Sequence, residues 1–353
     1  MRTAAVVHGP EAIDSGLAAA VIERLRKLGD VKATMGGATG VAAVIDAGLE
    51  GVIDISKRER VSDALLRLGK DSDLLVLINE GKSEKSAIEF GREVYSRVEG
   101  KLKAPFFQID KRQVIYWNPH AERFARDFAA IFGNSVVDGT KLELKKEEAV
   151  RRTVSCVKKG EAVWINGNVI GRATGNEVVI IDDGKGGLEL IGIEIKEAGL
   201  KRVGKVDLRN AMIRSGVTRR TSATKRVIKN AGDGKAYLVD HDAENAAFSL
   251  RGASVVVTIG DDTTANAGSV LARFGVPIIG IIDGDEDGIS SDRAFEGGSV
   301  IFRVRSGEDD AVGKLIRDNI FGGKSAKEIS CQEDLAGRIQ EIARGSILSR
   351  QDF

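Results

Sequence analysis

The chain has 353 residues, with 53 Lys and Arg against 52 Asp and Glu, a balance that excludes a surface coated in basic groups for polyanion binding and leaves only local patches. Hydrophobic residues make up 42%, charged residues 30% and aromatics 5%, the composition of a soluble protein with an aliphatic core, long enough for two or three domains. Cys156 and Cys331 are the only thiols, which excludes a disulfide scaffold; they read as small apolar residues.

The opening Met1-Arg2-Thr3-Ala4-Ala5-Val6-Val7-His8 carries one basic residue before a short apolar run, and no stretch of about 18 apolar residues occurs elsewhere. Neither a secretory leader nor a membrane span is expected, and a cytoplasmic protein is.

Residues 4–8 read as a buried strand, and Leu17, Val21, Leu25 and Leu28 recur at helical spacing over 13–28. Further strands are expected at 31–35, 52–55 and 74–78, with helices at 41–49, between 55 and 74, and at 83–98. Residues 105–109 face 114–117 across a turn, and a helix follows over 120–132. This alternation predicts a doubly wound, mostly parallel α/β domain over 1–148. From 149 the rhythm changes to short strands at 161–165, 168–174, 178–182 and 188–195. Their junctions Asn166-Gly167, Gly175-Asn176 and Asp183-Gly184-Lys185-Gly186-Gly187 are hairpin signals, so a small antiparallel β module with a basic tail is expected over 149–232. Strands at 236–239, 254–259, 276–282 and 300–304, with helices at 263–274, 309–321 and 326–347, predict a second doubly wound, mostly parallel α/β domain over 233–353.

In parallel α/β sheets, ligands gather at the carboxyl ends of the strands. Here the first three strands of the last region end in Asp240-His241-Asp242, Asp261-Asp262 and Asp283-Gly284-Asp285-Glu286-Asp287-Gly288. Like charges this close cost free energy unless a cation lies among them, and hard oxygen ligands suit Mg²⁺ or Mn²⁺. Asp261, Asp283, Asp285 and Asp287 are the candidate metal ligands, with Asp283 or Asp261 as the catalytic base. Asp262, Thr263 and Thr264 open the next helix, where a phosphate would meet free backbone N–H groups. The plainer reading is that aspartates cap helices and Asp-Gly makes turns. Residues 214–229 hold six basic residues and no acid; of these Arg219, Arg220 and Lys225 are expected to offset phosphate charge, the alternatives being nucleic-acid backbone contacts or a solvated hinge.

Asp283-Gly284-Asp285-Glu286-Asp287-Gly288 resembles the D-x-D-x-x-G motif of Toprim domains, which implies Asp283 and Asp285 as Mg²⁺ ligands. The Toprim Glu has no counterpart, because the first strand ends in Asp240-His241-Asp242. "VVVTIGDDTTANAG" with "GVPIIGIIDGDED" is similar to the phosphofructokinase and NAD-kinase pattern. That likeness puts Asp261 on the loop acid, Thr263 on its hydroxyl residue and Asp283 on the acid that acts as base, although Ile259 and Asp262 replace two loop glycines. The phrases "HGPEAIDSG", "AAVIDAGLE", "IRSGVTRR" and "TIGDDTTANAG" resemble an uncharacterised archaeal family, domain of unknown function 2117, which implies no activity.

The turn His8-Gly9-Pro10-Glu11-Ala12-Ile13-Asp14-Ser15-Gly16 joins a strand to a helix, so His8, Glu11, Asp14 and Ser15 are a second candidate site; a well-capped helix is the structural alternative. The motif at 35–40, Met-Gly-Gly-Ala-Thr-Gly, lacks the ending of a phosphate loop, and Gly81-Lys82-Ser83 lacks the glycine that precedes one. Together these features predict Mg²⁺-dependent phosphoryl or nucleotidyl transfer, or hydrolysis, acting on a nucleotide or phosphorylated small molecule, with no membrane partner. A Toprim-related nucleic-acid-binding protein and a non-catalytic nucleotide and metal sensor are the alternatives.

Overall fold

The computed structural model describes the chain except residues 38, 58, 143–150, 167, 184–185, 217–218, 220–223, 229, 241–248 and 285–294, and the side chain of Asp262. Two compact units result: Met1–Val163 with Ile170–Ser215 and Arg219–Ala223, and Trp164–Val169 with Gly216–Thr218 and Thr224–Phe353. Residues of the middle module are divided between them.

The N-terminal unit begins with β1 (Arg2–His8), α1 (Glu11–Asp14), α2 (Leu17–Arg26), β2 (Asp30–Gly36), α3 (Val41–Asp46), β3 (Ile53–Asp54) and α4 (Val61–Leu68). It continues through β4 (Leu74–Asn79), α5 (Glu84–Val98), β5 (Phe106–Ile109), β6 (Gln113–Tyr116), α6 (Glu122–Phe132) and β7 (Ser135–Asp138). The seven strands form one sheet in the order β3-β2-β1-β4-β5-β6-β7, parallel except for the β5/β6 hairpin. Val61 and Leu65 of α4 and Val94 of α5 pack on Ala4, Val6, Leu75 and Leu77. Alternate residues Ala5, Val7, Val76 and Ile78 are also fully buried and face the other way, where α2 covers them. The helix expected over 13–28 is broken in two, because Gly16 adopts a left-handed φ of 80° between α1 and α2. Ser83 opens α5 with a capping box, its Oγ accepting the N–H of Ser86.

Two antiparallel sheets follow, built from β8 (Arg151–Ser155), β9 (Ala162–Ile165), β10 (Asn168–Ala173), β11 (Glu177–Asp182), β12 (Leu188–Ile191), β13 (Ile193–Ile195) and β14 (Ile213–Ser215), with α7 (Glu197–Val203) before the last. Their orders are β13-β10-β9-β14 and β12-β11-β8. Gly175-Asn176 therefore makes no hairpin: the chain changes sheets there. The single strand expected over 188–195 is split at Gly192, whose φ is 77°.

The C-terminal unit contains β15 (Lys235–Asp240), β16 (Val255–Ile259), α8 (Asp261–Leu271), β17 (Ile278–Ile282), β18 (Val300–Val304), α9 (Asp309–Asn319), β19 (Ala326–Glu328), α10 (Gln332–Ile342) and β20 (Ile347–Asp352). The sheet order is β19-β15-β16-β17-β18-β20; the four inner strands are parallel neighbours and the outer two are antiparallel. Val312 and Ile316 of α9 and Leu335 and Ile339 of α10 bury one sheet face against Val257, Ile259, Ile281 and Phe302. On the other face α8 approaches β17 closely enough that a Cβ on Gly280 would lie 2.5 Å from Thr264 Cγ2. The helix expected over 326–347 is instead a strand, a helix and a strand, the two strands closing the sheet at its opposite edges.

The class is α/β, two largely parallel sheets accompanied by two antiparallel ones. Among the described residues no helix is long and apolar enough to cross a membrane.

Candidate active site

The carboxyl ends of β16, β17 and β18 open onto one rim, since the strands are parallel neighbours in register. Each is followed by an aspartate with little exposure: Asp261 8%, Asp283 8% and Asp309 7%. Gly260, at φ 95°, turns the chain from β16 into α8 and sets Asp261 as the first helical residue. Asp261 Oδ2 then accepts the backbone N–H groups of Asp283 and Gly284, both at 3.0 Å. Asp283 Oδ2 accepts in turn from the N–H of Gly307 at 2.6 Å, in the turn between β18 and α9. Asp309 Oδ1 accepts from the N–H of Asp310 at 2.9 Å. A Cβ built on Gly260 would stand 3.7 Å from both Asp309 Oδ2 and Thr263 Oγ1, so these groups face the same small space above Gly260.

Burial pushes the Asp261 carboxyl up to about 6, and the Asp283 carboxyl within hydrogen-bonding reach adds to that push against the two backbone donors that favour ionisation. A carboxyl group that changes charge near neutrality, beside a second acid, is equipped to exchange a proton or to accept a cation in its place.

The acidic strand ends thus bring Asp261 and Asp283 together, and they add Asp309, which the sequence reading treated only as a helix start. Its signal was present: residues 300–304 are an apolar strand followed by Arg-Ser-Gly-Glu-Asp-Asp, again a glycine and acids just past a strand end, as at the two preceding strands. Asp240 goes elsewhere, pairing with Arg317 Nη2 at 2.8 Å. Among the described residues no group of three or more His, Cys, Asp or Glu is arranged to hold a metal ion. Asp285, Asp287, Arg220 and the Asp262 side chain lie outside the described residues. The two threonines divide. Thr264 Oγ1 meets Thr258 Oγ1 at 2.8 Å in the core, so its hydroxyl serves the helix-to-sheet contact, while Thr263 faces the Gly260 space.

Arg219 is placed in the N-terminal unit rather than assigned to the acidic one. Its Nε and Nη2 donate to the two carboxylate oxygens of Asp14 at 2.8 and 2.5 Å, and Nη1 donates to Asp46 at 2.6 Å. Burial alone would lower its pKa, but these hydrogen bonds outweigh burial and raise it. Expected as a phosphate clamp, Arg219 is engaged by two buried acids, and Asp14, expected at the mouth of the second site, is engaged with it. Lys225 lies in the loop before β15.

In the remainder of the second site, His8 closes β1 and its Nδ1–H donates to the Gly36 carbonyl at 3.0 Å, with the ring stacked on Phe90 at 4.3 Å. Burial lowers its pKa, so the neutral ring dominates at neutral pH. Ser15 is exposed and its Oγ accepts the N–H of Leu17 at 3.4 Å; Glu11 is half-buried. Neither cysteine is a buried apolar filler: Cys156 Sγ is 3.4 Å from Ser83 Oγ, and exposed Cys331 caps α10.

Residues 5–324 match a family described as uncharacterized protein conserved in archaea, DUF2117. A protein of Methanocaldococcus jannaschii, described as uncharacterized, is 35% identical over 370 residues, covering 100% of this chain and 99% of its own length. No solved structure matches the chain.

Proposed function

We propose, for a chain that belongs to the archaeal family DUF2117, that the C-terminal unit carries out phosphoryl or nucleotidyl chemistry, by transfer or hydrolysis, on a nucleotide or phosphorylated small molecule with Mg²⁺ or Mn²⁺. The observation that supports this reading is the pair of buried carboxyl groups, Asp261 and Asp283, at the ends of adjacent parallel strands. Two such acids, one raised to about 6 by burial, suit a divalent cation by their chemistry: once both are ionised, a positive charge between them offsets repulsion and lost hydration. Asp261 and Asp283 would hold the ion, which supplies Lewis-acid polarisation of a phosphoryl oxygen.

The chain's own groups do the rest. Backbone N–H donors fix Oδ2 of each acid. Thr263, on the first turn of α8, offers a hydroxyl on the phosphate side, and the helix N-terminus favours negative charge there. Asp283 or Asp261 would take the proton of an attacking hydroxyl or water that the ion orients.

Calorimetry with Mn²⁺ and Mg²⁺, followed by a thermal-shift screen of nucleotides and sugar phosphates, tests the proposal. Wild type binds the ion and gains a phosphate-dependent rise in melting midpoint; Asp261→Asn and Asp283→Asn lose both. Identical responses from all three proteins would reject the assignment, and binding without any product by mass spectrometry would reduce the site to a sensor.

A further inference from the structure

The sheet of the N-terminal unit reverses its strand order between β1 and β4, so the chain leaves these neighbours toward opposite faces, α1 and α2 on one side and α5 on the other. In open α/β sheets that divergence leaves a crevice at the carboxyl edge. His8 and Asn79 are register partners at this edge. Its β4 side is held by hydrogen bonds. Asn79 accepts from Gln108 Nε2 at 2.7 Å, and the Glu80-Gly81-Lys82 loop is fixed through Gly81, whose N–H donates to buried Asp110 at 2.8 Å and whose carbonyl accepts from Arg112 Nη2 at 2.8 Å.

Three polar side chains lie at this edge. The Gly36 carbonyl takes the Nδ1–H of His8, which leaves Nε2 of the neutral ring as an acceptor. Glu80 pairs through Oε1 with Lys111 Nζ at 3.7 Å, while its buried Oε2 has no hydrogen-bond partner among the described residues. Lys82, just before the fifteen-residue α5, is covered by the antiparallel layer of the same unit: its Nζ donates to Glu161 Oε2 at 2.7 Å and to Ser215 Oγ at 3.2 Å, while Cys156 lies against Ser83. The Glu161 carboxylate, which also accepts the backbone N–H of Lys158 at 3.1 Å, thus already occupies the anion position that Lys82 offers.

We propose that the β1/β4 crevice of the N-terminal unit binds a phosphorylated ribosyl compound, the phosphate replacing Glu161 on Lys82 and the hydroxyls donating to Glu80 Oε2 and His8 Nε2. Glu161 and Ser215 then act as a cover that the ligand displaces. This site is independent of the acidic one and needs no metal.

The chain has three histidines, which makes His8 observable by itself. In full-length protein with EDTA, the ¹H–¹³C histidine signals are followed during titration with AMP and with ribose 5-phosphate, His8→Gln identifying the His8 signal. The His8 signal moves saturably with at least one of them, adenosine leaves it in place, Lys82→Ala weakens binding at least tenfold, and Glu161→Gln tightens it severalfold. A His8 signal unmoved by either phosphate at millimolar concentration overturns the proposal. An equal response to adenosine, or weaker binding by Glu161→Gln, does so as well.

Discussion

Asp261 Oδ2 accepts the backbone N–H of Asp283 at 3.0 Å, so the acid that closes β16 is hydrogen-bonded to the residue that closes β17. The contact brings two carboxyl groups into a buried space where their charges must be compensated.

The pH dependence of that compensation has a definite sign. Asp261 is raised from 3.8 to about 6, so between these values the unfolded chain is ionised while the folded one retains its proton. Without a cation, the Asp261 contribution is fully present below about pH 4 and is lost as pH rises through about 6. Urea denaturation from pH 4 to 7 with EDTA should show the decline, and Asp261→Asn should flatten it. Mn²⁺ affinity should rise over the same interval, because the ion competes with the proton.

Gly260→Ala places a side chain at φ 95° and in contact distance of Asp309 Oδ2 and Thr263 Oγ1. Backbone strain should cost about 1–2 kcal/mol, read by chemical denaturation. Cation affinity should fall by more than that loss of stability explains, because the methyl group enters the space that Asp309 and Thr263 face, next to Asp261.

Thr264→Val should behave in the opposite way. It orphans the buried Thr258 hydroxyl and should destabilise by about 1–2 kcal/mol, while calorimetric Mn²⁺ binding stays unchanged. Thr263→Ala should leave stability nearly intact and weaken the phosphate-dependent thermal shift.

Arg219→Met leaves Asp14 and Asp46 buried without their cation and should cost about 3–5 kcal/mol. Adding Asp14→Asn and Asp46→Asn to the same chain should recover part of the loss, which denaturation of the single and triple variants measures.

Gly91→Ala should be among the most damaging single-methyl insertions. The new Cβ would collide with Gln108 Oε1 and stand 2.6 Å from Trp117 Cζ2, where Gln108 links Trp117 to Asn79. A loss of about 1–3 kcal/mol or more is expected from the melting transition.

These residues also show what could be read from the chain. Apolar runs ending in glycine and acids announce themselves locally, so the strands and Asp261 with Asp283 were legible without coordinates. Asp309 followed the same pattern but was absorbed by the stronger signal of a helix beginning there. Arg219 was not legible, because its partner Asp14 lies 205 positions away and a basic run looks the same whether it is solvated or buried. The stretch 326–347 misled for a related reason. Its ends pair with opposite edges of a sheet, at β15 and β18, and edge pairing overrides a local helical pattern.

The acids at the rim act in sequence order: Asp261 grips the loop after β17, and Asp283 grips the turn after β18. Each anchor is a main-chain amide from the loop that follows the neighbouring strand, so the arrangement exists only when all three strands are paired. On the proposed assignment, metal uptake during refolding should therefore lag behind helix formation and report completion of the sheet.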